Sequence, residues 1–467
     1  MKRDEEFEKE ECTEICKRLV QKALKMGSDA AEVVIMGGRS IAFSFEKNSI
    51  NRGTSSSDFG IGIRVLKNKR IGFSFCSREE EAEKTIEKAL DISKIHEQTD
   101  FIFPEKTSKP SLATGDIFDK KVSELNANEC LEFVDEMVNS ALEVSKDLIS
   151  SGEVYCGKEF FSLANSSGHS FHYEKSFVGG AITTTLKRNG SLFSASSSLE
   201  SLHLSGINFS EIGKEAAELT LKSLKPVKLN QKLSSVLFVP EASSALFEFI
   251  IAPAIYGKRA MKNESVYSNK LGKKVASEHL TIVDNGILRG GLNSAPYDDE
   301  GSLTRENIVI EKGVAKCFLF DGLSASELGT SSTGNGFRAE RLMGSHSHEV
   351  PVDTHIRNLS VKADACKMMP LTELVEEVRN GIFVHDIIGA HTSNPSSGDF
   401  TVSSPLLFKI ENGEIGSALK PVNIRGNFPA LLNKFIAISE EYKHVAGSLT
   451  PSAFYMPHFA LDGFEIY

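Results

Sequence analysis

Apolar residues recur every three or four positions near the start of the chain and then alternate with polar ones. The first pattern predicts an amphipathic helix over about residues 7–26. The alternation predicts strands over about residues 31–36, 41–46, 60–66 and 70–76, with a turn at Gly37-Gly38. A second helical stripe follows. The order helix, antiparallel meander, helix indicates an α+β layer with its helices on one face.

The same order then recurs further along the chain. A polar segment at residues 98–122, with two prolines, is predicted to be a linker, and a second helix, meander and helix extend to about residue 224. This repetition suggests an internal duplication. From Val236 onward, strand patterns broken by Gly and Ser dominate. We therefore predict an α+β fold, with an N-terminal α+β domain at residues 1–228 and a β-rich C-terminal domain at residues 229–467 built on a curled or barrel-like antiparallel sheet.

Composition and charge exclude several classes of function. The formal charge is −10 over 467 residues, and no Lys/Arg cluster is present that could displace counterions from phosphates, which argues against direct nucleic-acid binding. No apolar run approaches the roughly 18 residues of a membrane helix, and the charged N-terminus is unlike a signal segment. The seven cysteines form no CxxC pair, so we expect reduced thiols. These features predict a cytoplasmic protein without a membrane or nucleic-acid partner.

The most informative stretch is an apolar helical pattern that directly follows the strand predicted at Val236. It contains Glu248-Phe249-Ile250-Ile251-Ala252-Pro253, an almost unbroken apolar run, which predicts that Phe249 is buried in the core. Several short blocks follow in fixed order, namely Ser265-Val266, Lys270-Leu271-Gly272, Asp298-Asp299-Glu300-Gly301, Thr333-Gly334-Asn335-Gly336 and Ile410-Glu411-Asn412-Gly413. In order and spacing, these blocks resemble the TldD/PmbA family of metallopeptidases, also named modulators of DNA gyrase.

The resemblance implies that the helix lacks its zinc motif. In TldD-type members the helix carries His-Glu-x-x-x-His, whose histidines hold zinc, and a cysteine completes the site. Here Glu248 and Pro253 stand at the histidine positions, Phe249 replaces the glutamate, and Ser404 falls at or next to the cysteine. Phe cannot act as a general base, and Pro offers a metal no lone pair. The resemblance thus points to the TldE/PmbA type of subunit, with no catalytic residue and no cofactor of its own.

The family also implies dimers that enclose a peptide cavity. Our leading hypothesis is a non-catalytic subunit that pairs with a TldD-type partner, in which zinc is expected, and that helps to bind unfolded peptides. Self-association as a homodimer is the other assembly consistent with the resemblance. A divergent homodimeric metallopeptidase and a stand-alone peptide-binding protein remain as alternatives, so the sequence leaves open whether the isolated chain is an enzyme.

Two polar turns are candidates for contact with peptide. The block Asp298, Asp299, Glu300 and Gly301 is either a solvated acidic turn or a wall of the cavity. The block Thr333, Gly334 and Asn335 lacks the Lys-Ser/Thr and the helix of a nucleotide-binding loop, and is predicted to expose its backbone to an extended peptide.

Histidines supply the only alternative metal ligands that the sequence suggests. His346 and His348 alternate, as two residues on one face of a strand would, and His355 could join them. The bland alternative is that all three are ordinary loop histidines, because no acid–base partner is placed beside them by the sequence.

Overall fold

The computed structural model describes residues 9–106, 109–339 and 346–467. One six-stranded antiparallel sheet forms the N-terminal half, in the spatial order β3-β2-β1-β4-β5-β6. The strands are β1 (Ala30–Glu46), β2 (Ser49–Lys67), β3 (Arg70–Cys76), β4 (Ile149–Asn165), β5 (Ser170–Arg188) and β6 (Ser191–Ser201). Pairing of β1 with β4 joins two three-stranded meanders into this single sheet.

Helices flank each meander along the chain. They are α1 (Lys9–Lys25) and α2 (Ala82–Ser93) around the first meander, and α3 (Lys120–Ser123), α4 (Ala127–Val144) and α5 (Phe209–Lys222) around the second. Helix α4 begins where its sequence indicates, because the side chain of Asn126 accepts hydrogen bonds from the backbone N–H groups of Asn128 and Glu129. The helix–meander–helix order occurs twice, while the duplication and the domain boundaries stay predictions.

The predicted turn at Gly37-Gly38 is wrong, because β1 runs straight through both glycines. A Cβ atom on Gly37 would lie 2.5 Å from the carbonyl oxygen of Asp58, and one on Gly38 would lie 2.4 Å from that of Lys158. The glycines therefore allow close approach of the neighbouring strands, the other physical use of glycine within a sheet.

The predicted linker at residues 98–122 is partly packed against the sheet. Phe101 and Phe103 are buried, and the guanidinium of Arg64 lies 4.8 Å and 5.1 Å from their ring centroids. These cation–π contacts attach the segment to β2, and the polar composition of the segment gave no sign of them.

The C-terminal half contains a 13-stranded mixed sheet and a separate two-stranded ribbon. The large sheet comprises β7 (Val236–Phe238), β8 (Leu280–Asn285), β9 (Glu306–Glu311), β10 (Val314–Ala315), β13 (Asn358–Ala363), β14 (Met368–Met369), β15 (Gly381–Ile388), β16 (Asp399–Glu411), β17 (Glu414–Ala418), β18 (Val422–Asn427), β19 (Phe435–Ala446), β20 (Ala453–Leu461) and β21 (Glu465–Ile466), and the ribbon comprises β11 (Gly336–Phe337) and β12 (Asp353–Thr354). Most pairings are antiparallel, but β7–β15, β13–β20 and β14–β19 are parallel. The predicted α+β class with a β-rich C-terminal region is confirmed.

Short helices connect these strands. They are α6 (Pro240–Leu246), α7 (Ala252–Ala254), α8 (Gly257–Met261), α9 (Gly322–Glu327), α10 (Leu371–Val378) and α11 (Phe428–Leu431). Among the described residues, no helix combines the length and apolar character needed to cross a membrane.

A buried ion cluster connects the N-terminal sheet to the C-terminal half. Glu32, on β1, accepts hydrogen bonds from Arg64 at 3.1 Å and from Arg338 at 2.9 Å. Arg64 also donates to Glu300 at 2.6 Å. All four side chains are at most 4% exposed. Because ionised groups are stable in the interior only when paired, the two halves must be in register for this cluster to form.

Carboxyls outnumber guanidiniums in this interior, and their pKa values diverge accordingly. Burial raises the pKa of Glu300 to about 8 despite the attraction of Arg64, and the nearby charges of Asp321 and Asp298 raise it further. Burial also opposes ionisation of Asp299, but the charges of His346 and Arg357 lower its pKa to about 2. The pKa values of these two adjacent carboxyls therefore lie on opposite sides of neutral pH.

We predict opposite pH dependences of stability for these two positions. A raised pKa in the folded state means that the contribution of Glu300 is fully present below its ordinary pKa and is lost as the pH rises through about 8. Wild type should therefore lose about 3 kcal/mol of unfolding free energy relative to Glu300→Gln between pH 5 and pH 8. Chemical denaturation at several pH values measures this difference.

Asp299→Asn is the matched control. Asp299 is ionised in both the folded and unfolded states over that interval, so its own titration should not change the stability difference between this variant and wild type from pH 5 to pH 8. Below about pH 4 the difference should shrink, because the native advantage of a carboxyl with a lowered pKa is lost as it protonates. A Glu300→Gln difference that does not change with pH would contradict the assignment of a protonated Glu300.

Candidate functional site

The segment that resembles the zinc-motif helix is a continuous helix over residues 240–254. Pro240 occupies its first turn, where the missing N–H costs nothing, and β7 leads directly into it. The hydroxyl of Ser265 donates to the carbonyl of Ala254 at 2.5 Å. This bond satisfies one of the backbone carbonyls that are left without a partner at the C-terminal end of a helix. We call residues 240–254 the motif helix.

The centre of the motif helix is a π-helical turn, Phe247–Ile251, between α6 and α7. Pro253 follows this turn closely. In a regular α-helix the ring of Pro253 would crowd the carbonyl of Phe249, to which it cannot donate. The wider π turn is consistent with relief of that conflict, and such turns are often found at functional sites.

Glu248, at one of the expected histidine positions, is 4% exposed and binds a loop. Its Oε2 accepts from the backbone N–H and the hydroxyl of Ser448, each at 2.8 Å. Its Oε1 accepts from the backbone N–H groups of Leu449 and Thr450 and from the Thr450 hydroxyl, at 3.1, 2.8 and 2.7 Å. Both carboxylate oxygens are thereby occupied. We call residues 447–450 the clamped loop.

The expectation that Phe249 lies in the core is wrong. Leu246, Phe247, Ile250 and Ile251 are fully buried, but Phe249 is only partly buried and lines a cavity of about 550 Å³, which we call the motif cavity. The π turn explains the difference, since an extra residue in the turn changes which side chains face outward. In the zinc motif that this helix resembles, the position of Phe249 carries the catalytic glutamate. That position therefore does face a cavity.

The other two positions of the degenerate motif are structural. Pro253 is partly buried at the end of the motif helix. Ser404 is fully buried on β16, and its hydroxyl donates to the carbonyl of Leu406 at 3.5 Å.

Titratable side chains surround Phe249 in the motif cavity. They come from β4, β6, α6, β15, β19 and the segment that follows β15: Glu153, Tyr155, Glu200, Glu241, His385, Asp386, His391 and His444. The Tyr155 hydroxyl donates to Glu200 at 2.9 Å, and burial raises the pKa of that carboxyl. Burial, with the nearby charge of His458, lowers the pKa of His385 to about 4. Within the described residues, no group of three or more His, Cys, Asp or Glu is placed to hold a metal ion.

The acidic block is not a solvated turn. Asp298, Asp299 and Glu300 are fully buried, and Gly301 is buried beside them. Asp298 accepts hydrogen bonds from three backbone N–H groups, those of Glu300, Ser302 and Gly336. The block belongs to the ion cluster, because arginines distant in sequence supply the counter-charges that the turn itself lacks.

The second predicted turn, residues 333–335, also forms hydrogen bonds in the interior of the protein. Asn335 is fully buried, and its amide donates to Asp284 at 2.7 Å and to the carbonyl of His355 at 2.8 Å. Thr333 donates to the Asn335 side chain at 2.7 Å, and Gly334 is buried. The expectation of an exposed backbone is therefore wrong for Gly334 and Asn335. Of the seven candidates in the two blocks, all of them described residues, none lines the motif cavity or the cavities around His346, so peptide contact stays a prediction without support from their burial.

The three candidate histidines are not brought together. The ring of Phe337 lies between two of them, stacked on His346 at a centroid distance of 4.4 Å and edge-on to the buried His355 at 5.9 Å. His348 packs instead near Phe75, with a centroid distance of 6.0 Å.

His346 faces two further cavities, of about 590 Å³ and 250 Å³. Its Nε2 lies 2.7 Å from Asp299, and its ring also stacks on Phe161. The 250 Å³ cavity shares Glu200 and Gly447 with the motif cavity, so the three cavities adjoin one another. The sequence analysis treated His346 either as a metal ligand or as an ordinary loop histidine. The sequence holds no signal for this contact, because Asp299 and His346 are 47 residues apart and only the fold brings the carboxylate to the imidazole.

We predict that Glu248 stabilises the fold through the clamped loop. Glu248→Ala leaves several buried donors without acceptors, so the unfolding free energy should fall by roughly 3 kcal/mol. Urea denaturation measures this loss. Glu414→Ala, at an exposed position at the start of β17, is the control and should change stability by less than about 0.5 kcal/mol. A loss below about 1 kcal/mol for Glu248→Ala would show that the loop does not depend on the carboxylate.

Comparison with known proteins accounts for this arrangement. Models of the PmbA/TldA metallopeptidase family match residues 31–93 (domain 1), 120–224 (central domain) and 231–467 (C-terminal domain). A metalloprotease of Methanocaldococcus jannaschii is 27% identical over 445 residues, which cover 92% of this chain and 93% of the relative. The metalloprotease PmbA of Escherichia coli O157:H7 is 23% identical over 437 residues, covering 91% and 92%.

A solved structure shows the same fold. The crystal structure of TldE from Thermococcus kodakarensis superposes with a TM-score of 0.88 at 24% sequence identity, covering 97% of this chain and 99% of that one. The C-terminal family match alone spans residues 231–467, half of the 467-residue chain. The chain therefore belongs to the PmbA/TldA metallopeptidase family, the TldD/PmbA family that its sequence blocks resemble.

Proposed function

We propose that this chain is a non-catalytic subunit that pairs with a zinc-bearing TldD-type metalloprotease and helps to bind unfolded peptides. The observation that carries the proposal is the motif helix itself. It reaches a cavity at the family's catalytic position but presents Phe249 there, and its Glu248 is fully engaged by the clamped loop.

The chemistry of the motif helix supports a binding role. Metal-assisted hydrolysis requires protein ligands, a bound water and a general base in one place. Glu248 could bind a metal only by giving up its hydrogen bonds to the loop, and Phe249 and Pro253 bring no acid–base or ligand group. These three positions all depart from the motif together.

The adjoining cavities support peptide as the ligand. Their walls combine aromatic rings, such as Phe161 and Phe177, with numerous polar and charged groups, among them Glu159 and Lys175, which pair at 3.1 Å. Aromatic rings beside charged and hydrogen-bonding groups can contact both the side chains and the main chain of an extended peptide. His346 contributes an imidazole oriented by a buried carboxylate.

We predict that the purified chain holds far less than one zinc per molecule. The expected ligand positions offer one carboxylate, whose oxygens already accept hydrogen bonds, and no imidazole or thiolate. Elemental analysis after a mild chelator wash measures the metal content. One zinc per chain would contradict the prediction, and its loss in His346→Ala would favour the divergent-metallopeptidase alternative.

We predict that peptide hydrolysis requires both chains. Mixing this protein with a TldD-type partner should give a 1:1 complex, by light scattering, that cleaves unfolded peptides which neither chain cleaves alone. Robust hydrolysis by this chain alone, or failure to bind any TldD-type chain from the same genome, would contradict the proposal.

Variants of this chain separate peptide binding from assembly. His346→Ala should weaken peptide processing by the complex by about tenfold, the cost of one good polar contact, while leaving the complex intact. His96→Ala is the matched control because His96 is exposed and lines neither the motif cavity nor the two cavities that His346 faces, all three of which are formed by described residues. Equal activity of the two variants would show that His346 does not contact the peptide.

A further inference from the structure

Two of the seven cysteines form a close pair in the interior of the N-terminal half. The Sγ atoms of Cys130, on α4, and Cys156, on β4, lie 2.7 Å apart, and both side chains are buried. An S–S bond is about 2.05 Å long, so the atoms need approach by only about 0.7 Å to form one. All seven cysteines lie among the described residues, and all are free thiols.

We propose that Cys130 and Cys156 are a reversible modification site that closes to an intramolecular disulfide in the presence of a peroxide. The inference goes beyond peptide binding and stands independently of it. The expectation of reduced thiols stays a prediction for the protein in the absence of peroxide. The pair gives no CxxC signal because it is formed by a helix and a strand that are distant in sequence.

The position of Cys130 makes it the attacking thiol. It lies in the first turn of α4, where its backbone N–H donates to the carbonyl of Asn126, and the positive end of an 18-residue helix favours a thiolate. The hydrogen bond from the Cys156 thiol also lowers the pKa of Cys130, although burial opposes this. Asn126 and the two residues that follow it are exposed, so the buried Cys130 lies about one helical turn from solvent.

The chemical steps balance with peroxide as the only co-reactant. The Cys130 thiolate attacks one peroxide oxygen, the O–O bond breaks, and a sulfenic acid and hydroxide form. The hydroxide takes up the proton that the Cys130 thiol released and leaves as the first water. The Cys156 sulphur then attacks the Cys130 sulphur, the S–O bond breaks, and a second water leaves. Both thiols are oxidised, hydrogen peroxide is reduced to two waters, and a dithiol reverses the change by exchange.

The crosslink would fasten α4 to the sheet that bears the motif cavity. Cys156 faces α4, and Tyr155, the preceding residue on β4, faces the cavity and hydrogen-bonds to Glu200. Closing the loop between residues 130 and 156 restricts the unfolded chain, so oxidation should raise thermal stability. The pair therefore couples the redox state to the rigidity of the cavity wall.

Mass spectrometry and thermal unfolding test the proposal on the full chain. After mild hydrogen peroxide treatment, wild type should lose two hydrogens, and non-reducing digests should contain a peptide linked through Cys130 and Cys156. Its melting temperature should rise by several degrees over the dithiothreitol-reduced sample. Cys130→Ser/Cys156→Ser should show no such redox-dependent rise, and Cys76→Ser, at another buried cysteine, should keep it.

Differential alkylation keeps the test decisive even where a variant folds poorly, because it needs only wild-type protein. If both Cys130 and Cys156 can still be fully alkylated when the peroxide-treated protein is denatured, the proposal is overturned. Oxidation that links the exposed Cys366 between chains and leaves the buried pair reduced would also overturn it.

Discussion

The contact on which the rest of the architecture depends is the shared carboxylate of Glu32. It lies at the centre of the N-terminal sheet and accepts from Arg64 of that sheet and from Arg338 of the C-terminal half. A charge removed from water is costly unless it is paired, and removal of one partner leaves the others uncompensated. The cluster therefore specifies how the two halves meet, more than it adds to the total stability.

The same cluster determines the shape of the cavities. Asp299 binds His346, and His346 with Phe161 and Phe337 forms part of the boundary between the halves. The residues that could touch a peptide are thus one layer away from the charges that join the sheets. The cavity walls and the interface between the two halves of the chain share a single polar network. A substitution in one of them therefore affects the other.

The sequence predicted the secondary-structure elements better than the tertiary contacts that their residues make. Periodicity located the helices and the β-rich half, and the fixed order of blocks identified the family. It could not show that Gly37 and Gly38 serve close strand packing, because a glycine pair has the same composition in a turn. Nor could it show that Asp299 and Asn335 are buried, since their partners Arg338, Arg357 and Asp284 are brought near only by the fold. Phe249 was misplaced because hydrophobic periodicity assumes a regular α-helix and the motif helix contains a π turn.

The binding of the clamped loop by Glu248 has an evolutionary consequence. A histidine at this position has one acceptor nitrogen at most and cannot replace two carboxylate oxygens that serve the whole loop. Any stepwise route between this sequence and one with a zinc-binding helix would pass through a less stable intermediate, unless residues 447–450 changed first. The clamped loop would therefore make the loss of the zinc motif hard to reverse. A subunit of this kind would regain metal chemistry less easily than the number of substituted residues suggests.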